Sequence, residues 1–524
     1  MSEADTHNPS PVHIDEKRCI AASTSQWFDE RSAATHPLSA NNALEVYVCG
    51  KEAFAKIAQD IEAARHSIDL VCWGFDPGME LVREGKDKHW PRGQPFGSLL
   101  HAAAGRGVKV RLLVWYRKFA SEKQNNMPGF TGDQREGYFV LTPTTTRDDY
   151  LAQGRTAPIP VLGGSDGRTP EQLRNDYCIE WWRDVLSDPK PGTTGTRIEV
   201  RMRAGSSTEQ VQRSTALDAG AGGLAPEDPA SVDGLASEKV LLEKFATHHQ
   251  KTILIDYAFD GGAKAVGYVM GLNSVTDYWD STEHLFDDPR RETDWARKSA
   301  TAEALPRAQA ISRDPYQDYA SRIQGPALQQ VHKNFIDAWK RDGGKVGPDD
   351  SGSEPPKLKH FASPGSTIQV VRTQPQEGSD KTIKNVYWQA TSCARNYIYI
   401  ENQYFYYEAW ARHLKGLRAA FVKGQQKAGV KACDARMLHL IAVIPWPEDD
   451  GLVPRTYDTV KSLGEADSMP NQHLSMQSKD EAWERWAKLP EDQRLDPRNM
   501  PAWDPVHDTA KRVQAPAKNH QTDF

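Results

Sequence analysis

Residues 245–257 read FATHHQKTILIDY, and three of them carry side chains suited to phosphoryl chemistry. His249 and Lys251 stand two apart, ahead of the apolar run Ile253-Leu254-Ile255, and Asp256 follows it. In an extended strand, residues i and i+2 share a face. His249 and Lys251 are therefore expected to project together, with Gln250 on the other side. A neutral imidazole can attack phosphorus and form a covalent phosphohistidine. An ammonium beside it stabilises charge on the non-bridging oxygens. Asp256 closes the strand, where it is expected to position the strand or a partner residue. His248 is one residue out of register and is expected to face away. Taken alone, so short a pattern also fits a solvated strand end with an incidental histidine and lysine.

A second segment, VGYVMGLNSVTDYWDS (266–281), places Asn273 behind a glycine at the end of an apolar strand. An amide there can reach a phosphate oxygen. Strands carrying His249 and Lys251 on one and Asn273 on the next outline a phosphate pocket.

Strands alternating with helices must hold these residues. ALEVYVCG (43–50) predicts a strand, and KEAFAKIAQDIEAAR (51–65) a helix with Phe54, Ile57, Ala58, Ile61 and Ala64 on one stripe. SIDLVCWGF (67–75) and VKVRLLVWY (108–116) predict strands separated by GSLLHAAAGRG, a helix that ends on glycine. The alternation implies an α/β fold with mostly parallel sheets covered by helices. The pattern returns as STIQVVRT (366–373), KTIKNVYWQATSCAR (381–395), NYIYIENQYF (396–405) and MLHLIAVIPW (437–446). An offset of about 330 residues superposes the two sets, as an internal duplication would. The expected organisation is a flexible arm over 1–40, a first lobe over 41–341, a linker over 342–365 and a partial second lobe over 366–524. A loop rich in Gly, Ala and Ser is expected over 204–236.

The chain has 524 residues, a formal net charge of -6, 38% apolar and 26% charged residues. That balance suits a globular protein and disfavours a general nucleic-acid binder, which carries a basic excess. The six cysteines form no C-x-x-C pair and are expected to be buried free thiols. The N-terminus lacks an apolar core of the Sec type, and no apolar run is long enough to span a bilayer. IEWWRDV (179–185) and AWERWAKL offer aromatic surface either to a core or to lipid.

HHQKTILID followed by GYVMGLNS resembles the H-x-K-x4-D signature and trailing G-x-N-S of the phospholipase D superfamily. WGFDPGMEL, YWDSTEH, DYASRIQGPALQQVHKNFIDAW and YIYIENQYF are similar to segments of its lipid-acting members. WGFDPGMEL and IPWPEDDG (444–451) look most like bacterial phospholipase D effectors of type VI secretion. The resemblance implies a two-lobe α/β fold whose second lobe is incomplete, and a phospholipase D needing no cofactor or metal. His249, Lys251 and Asp256 would be the catalytic motif, with Asn273 and Ser274 on the substrate phosphate. Glu401, Asn402 and Gln403 match a second-lobe strand and are read as structural. The implied substrate is a membrane phospholipid, cleaved to phosphatidic acid and headgroup. The implied partners are an immunity protein and a secretion-spike protein, without nucleic acid. The implied route is export without a signal peptide into a target cell's periplasm.

Members of the superfamily use two such motifs, one histidine attacking and the other protonating the leaving alcohol. The duplication offset projects the second near position 580, and His473, His507 and His520 lack a lysine at motif spacing. A truncated or split product, a half-site completed by another chain, and a binding protein that lost the reaction all remain open. So do a nuclease of the same fold and a catalytically inactive phosphate- or lipid-binding half.

Overall fold

The computed structural model describes residues 27–84, 90–116, 121, 125–130, 170–186, 198–203, 247–286, 288–292, 314–347, 350, 358–361, 365–374, 380–445, 452–494, 496–499 and 501. The expected loop over 204–236, Cys19, His507, His520 and residues 446–451 of IPWPEDDG lie outside them. The described chain divides into two compact units, one within 36–205 and 245–370, the other within 1–35 and 371–524.

The first unit runs β1 (Ser39–Val48), α1 (Gly50–Ala63), β2 (Ser67–Cys72), α2 (Phe96–Gly105), β3 (Lys109–Trp115), α3 (Pro170–Leu186), β4 (Ile198–Arg203), β5 (Thr252–Ile255), β6 (Val266–Met270), β7 (Tyr319–Gln324), α4 (Leu328–Arg341) and β8 (Ser366–Ile368). Its eight strands form one sheet in the order β4-β3-β2-β5-β6-β7-β1-β8. The α/β architecture with flanking helices is the expected one. β1, β2, β3, β4 and β6 run one way, but β5, β7 and β8 run against them and are interleaved among them. Parallel neighbours are therefore confined to β4-β3-β2. The ten residues between β5 and β6, with a single 3-10 segment at Phe259–Gly262, are too few for a helical crossover and return the chain antiparallel.

All six residues of β2 are buried because both sheet faces are covered. Ile68, Leu70 and Cys72 join the large core with Phe54, Ile57 and Ile61 of α1. On the other face Val71 packs with Phe335 and Trp339 of α4. Asp69 shares that face and pairs with Arg111 of β3 through two bonds of 2.6 and 2.8 Å. Asp350 completes the pairing of Arg111 at 2.8 Å. A buried charge left alone costs several kcal/mol, so this ion triad ties residue 350 to the sheet. α2 is followed, as expected, by a glycine that turns the chain: Gly107, just past the cap residue Arg106, has a φ of 94°.

Two boundaries move. Asp350, and Leu358 in a cluster with Leu254 and Leu328, pack on the first unit, so the expected linker is partly docked. STIQVVRT begins with β8, which pairs with β1 through Asn42 and Ser366 and belongs to the first unit. Trp181 and Trp182 of α3 are in the large core, which assigns IEWWRDV to packing. Of the described cysteines, Cys49, Cys72 and Cys178 are buried as expected, whereas Cys433 is exposed.

The second unit holds β9 (Thr373–Gln374), β10 (Asp380–Lys381), α5 (Thr382–Cys393), β11 (Tyr397–Glu401), α6 (Glu408–Lys427), β12 (His439–Val443), α7 (Leu452–Leu463) and α8 (Pro470–Ala487). β11 and β12 pair in parallel across α6, over a core of Trp388, Ile398, Phe405, Trp410, Ala411 and Leu414. The duplication is visible in the register. Ser67 faces Lys109 in β2-β3, and Tyr397 faces His439 in β11-β12, each partner 330 residues on.

Candidate active site

The sheet direction decides which residues meet. β5 runs against both β2 and β6, so Val71 faces Thr252 and Thr252 faces Val269. The end of β2, the start of β5 and the end of β6 therefore lie along one edge. His249 and Lys251 come just before β5, Trp73 and Gly74 just after β2, and Asn273 and Ser274 just after β6. Gln250 points away, into a network with Asn334 of α4 and Arg203 of β4. The expected alternation holds.

Lys251 Nζ lies 2.9 Å from Nδ1 and 3.4 Å from Nε2 of His249. Lys251 is buried while His249 keeps part of its ring open to solvent. The His249 ring meets the indole of Trp73 edge-on at 5.6 Å, and Trp73 stacks on Trp115 at 6.0 Å. Burial, and then the Lys251 ammonium, push His249 down to about 4. Burial pushes Lys251 down to about 8, against the opposing pull of Asp318 and Cys72. At neutral pH the pair is thus a neutral imidazole beside a mostly charged ammonium. His248 is buried and takes no part in this pair.

Asn273 is fully buried. Its Oδ1 accepts from Gly74 N–H at 3.3 Å and from Ser274 N–H at 3.0 Å. Its Nδ2 has no hydrogen-bond partner among the described residues. Such a donor calls for an oxygen from substrate or ordered water. Ser274 bridges to Phe75 through its backbone, and its carbonyl accepts from Asp76 N–H at 2.8 Å. Asn126 supports the same corner, donating to Trp73 O at 2.7 Å.

Asp256 sits at the opposite end of β5, roughly 16 Å from Lys251 by strand rise. Its carboxylate accepts four bonds from three N–H groups: Arg65 at 3.1 and 2.9 Å, His66 at 2.7 Å and Ser67 at 3.1 Å. These are the donors left where α1 ends and β2 begins. Its φ of 55° is a left-handed turn that aspartate tolerates. These bonds lock β5 against β2, which is the positioning of the strand that the sequence led one to expect of this motif aspartate.

Sequence reasoning did not single out Trp73, Trp115, Asn126 or Asp318. Trp73 was legible only as part of WGFDPGMEL. Nothing in the chain order links Asn126 or Asp318 to position 249, since both arrive through the sheet.

Residues 225–357 match the family model described as Phospholipase D. The chain is 23% identical over 410 residues to phospholipase D alpha 1 of Vigna unguiculata, covering 70% of this chain and 40% of that protein. It is 24% identical over 445 residues to phospholipase D alpha 1 of Ricinus communis, covering 77% and 43%. Phospholipase D alpha 2 of Oryza sativa subsp. japonica is 28% identical over 410 residues, covering 71% and 40%. The chain spans about two fifths of the length of these curated relatives. The residues matched to the family model include His249, Lys251, Asp256, Asn273 and Ser274, so the similarity to phospholipase D covers the site.

Proposed function

We propose that this chain is a phospholipase D-type phosphodiesterase acting on membrane glycerophospholipids, with His249 as nucleophile. The observation that carries the reading is the contact of Lys251 with His249 beside the unpartnered Asn273 amide. An imidazole held near pH 4 is unprotonated at neutral pH and suits attack better than proton donation. The incoming phosphodiester takes over the hydrogen bonds of Lys251 and frees the ring. His249 nitrogen bonds to phosphorus, the bond to the headgroup oxygen breaks, and the departing alkoxide takes a proton from an acid opposite. Water then attacks phosphorus and gives its proton to the same group opposite, now a base, the P–N bond breaks, and phosphatidic acid leaves. Lys251 and Asn273 Nδ2 hold the oxygens throughout. Ser274 contributes its backbone to the same corner.

The acid opposite is the second imidazole of a paired motif. In the first unit β2 is flanked by β3 on one side and by β5, which follows His249 and Lys251, on the other. In the second unit β11 pairs with β12, and no described strand pairs its other edge. We assign that edge to a strand equivalent to β5 that carries the second motif and is supplied by another chain.

The resemblance of WGFDPGMEL and IPWPEDDG to type VI secretion effectors motivates the wider reading of an exported antibacterial lipase. It would act in a target periplasm, with an immunity protein and a secretion-spike protein as partners. A nuclease of the same fold is the competing chemistry. Incubation with mixed phospholipid vesicles and, separately, with plasmid DNA separates the two. Phosphatidic acid without DNA cleavage supports the lipase; DNA cleavage without phosphatidic acid removes it.

A further inference from the structure

Helix α6 carries an apolar stripe, Trp410, Leu414, Leu417 and Phe421, at the 4-3-4 spacing of one helix face. The first half does what such a stripe should, with Trp410 and Leu414 buried in the core. The second half overruns it, leaving Leu417 37% and Phe421 41% exposed. Met437 is 65% exposed beside them, because Arg418 donates to the carbonyl of Arg436 and lies 5.0 Å over the Phe421 ring.

The charge around this overrun opposes that of the chain. Between 415 and 436 stand Lys415, Arg418, Lys423, Lys427, Lys431 and Arg436, with Asp434 the one carboxylate. The whole chain carries -6. Lys427 flanks the stripe and Lys431 and Arg436 follow the helix, all three exposed, whereas Lys423 lies about 160° round the helix from Phe421 and faces away. Lys415 and Arg418 also stand on a cavity of about 540 Å³ lined by Leu414, Leu438, Leu440 and Leu463.

We propose that the C-terminal half of α6 and the segment through Met437 form a docking surface for anionic phospholipid membranes. Cations meet the headgroups, and Leu417, Phe421 and Met437 enter the boundary with the acyl chains. Basic residues are attracted to an anionic bilayer, and exposed apolar residues beside them favour lipid over nucleic acid, which offers them no apolar phase. The surface is far in sequence from His249 and needs no catalysis, so it stands or falls separately from the reading above.

The test is sedimentation with phosphatidylcholine vesicles, with and without phosphatidylglycerol, using the His249→Asn protein so that nothing is hydrolysed. Binding should require phosphatidylglycerol and fall as salt rises. The triple variant Lys427→Glu, Lys431→Glu, Arg436→Glu should bind at least about tenfold more weakly. The charge-preserving variant Lys427→Arg, Lys431→Arg, Arg436→Lys should bind as the parent does. Circular dichroism of the charge-reversed protein checks that it folds. Equal binding to both vesicle types, or full binding by a folded charge-reversed triple, overturns the proposal. So does tighter binding to duplex DNA than to anionic vesicles, or a dimer that Phe421→Ala dissociates in place of vesicle binding.

Discussion

Lys251 holds its ammonium 2.9 Å from Nδ1 of His249, two residues back along the same strand edge. The contact adds to burial in lowering the histidine and, in the proposed reaction, gives the lysine a place to wait until a phosphate oxygen replaces the imidazole. It also fixes a pH window. The productive form has His249 neutral and Lys251 charged. On a soluble phosphodiester, kcat/KM should rise through about pH 4 and fall above about pH 8. Lys251→Arg should move the alkaline limb beyond reach, because a guanidinium does not deprotonate there. A profile with its acid limb near 6.5 would mean that His249 is not desolvated.

Replacing Lys251 by Met should act on two observables. Loss of the ammonium removes an electrostatic partner of the phosphoryl group, and kcat/KM should drop about 100- to 1000-fold. The His249 imidazole should titrate higher in proton NMR, because one of the two causes that depress it is gone. A drop in rate with an unmoved histidine would place Lys251 outside contact with the ring.

Asp256 should reveal itself in stability. Asp256→Ala leaves the N–H groups of Arg65, His66 and Ser67 without their acceptor at a buried turn, which costs about 2–4 kcal/mol. Asp256→Asn keeps one acceptor oxygen and tolerates the left-handed φ, so urea denaturation should give it the smaller loss. Both variants should retain the pH limbs of the parent. A shifted limb would give Asp256 an electrostatic role at the reacting pair.

At Asn273 the two halves of the amide can be separated. Asn273→Asp keeps an acceptor for the N–H groups of Gly74 and Ser274 but exchanges the Nδ2 donor for a negative oxygen. The new carboxylate is fully buried, so the thermal midpoint should fall, and KM for the phosphodiester should rise at least about tenfold by repulsion. An unchanged KM would remove Asn273 from the phosphate site.

Much of this was legible in the sequence because it depends on local period. The pairing of His249 with Lys251 follows from strand alternation. The stripe of Phe54, Ile57 and Ile61 gave α1, and the 330-residue offset foretold the shared register of Ser67-Lys109 and Tyr397-His439. What did not follow depends on sheet order. Parallel pairing looked general because strands and helices alternate, yet β5 inserts between β2 and β6 only in three dimensions. That insertion brings Trp73, Asn126 and Asp318 to the motif, and it sends Asp256 away to the turn at Arg65. The docking of Asp350 on Arg111 was hidden for the same reason, since a Gly/Pro-rich stretch reads as a linker until its one buried partner is found.

The central claim is that His249 attacks phosphorus, and an activated substrate tests it without the second imidazole. A nitrophenyl phosphodiester has a leaving group that needs no general acid, so one half-site should suffice for attack. Rapid mixing should release a burst of one nitrophenol per protein, with an acid-labile phosphoryl adduct on His249 found by mass spectrometry and absent from His249→Asn. No burst from folded protein, or an adduct that survives in His249→Asn, would contradict the account.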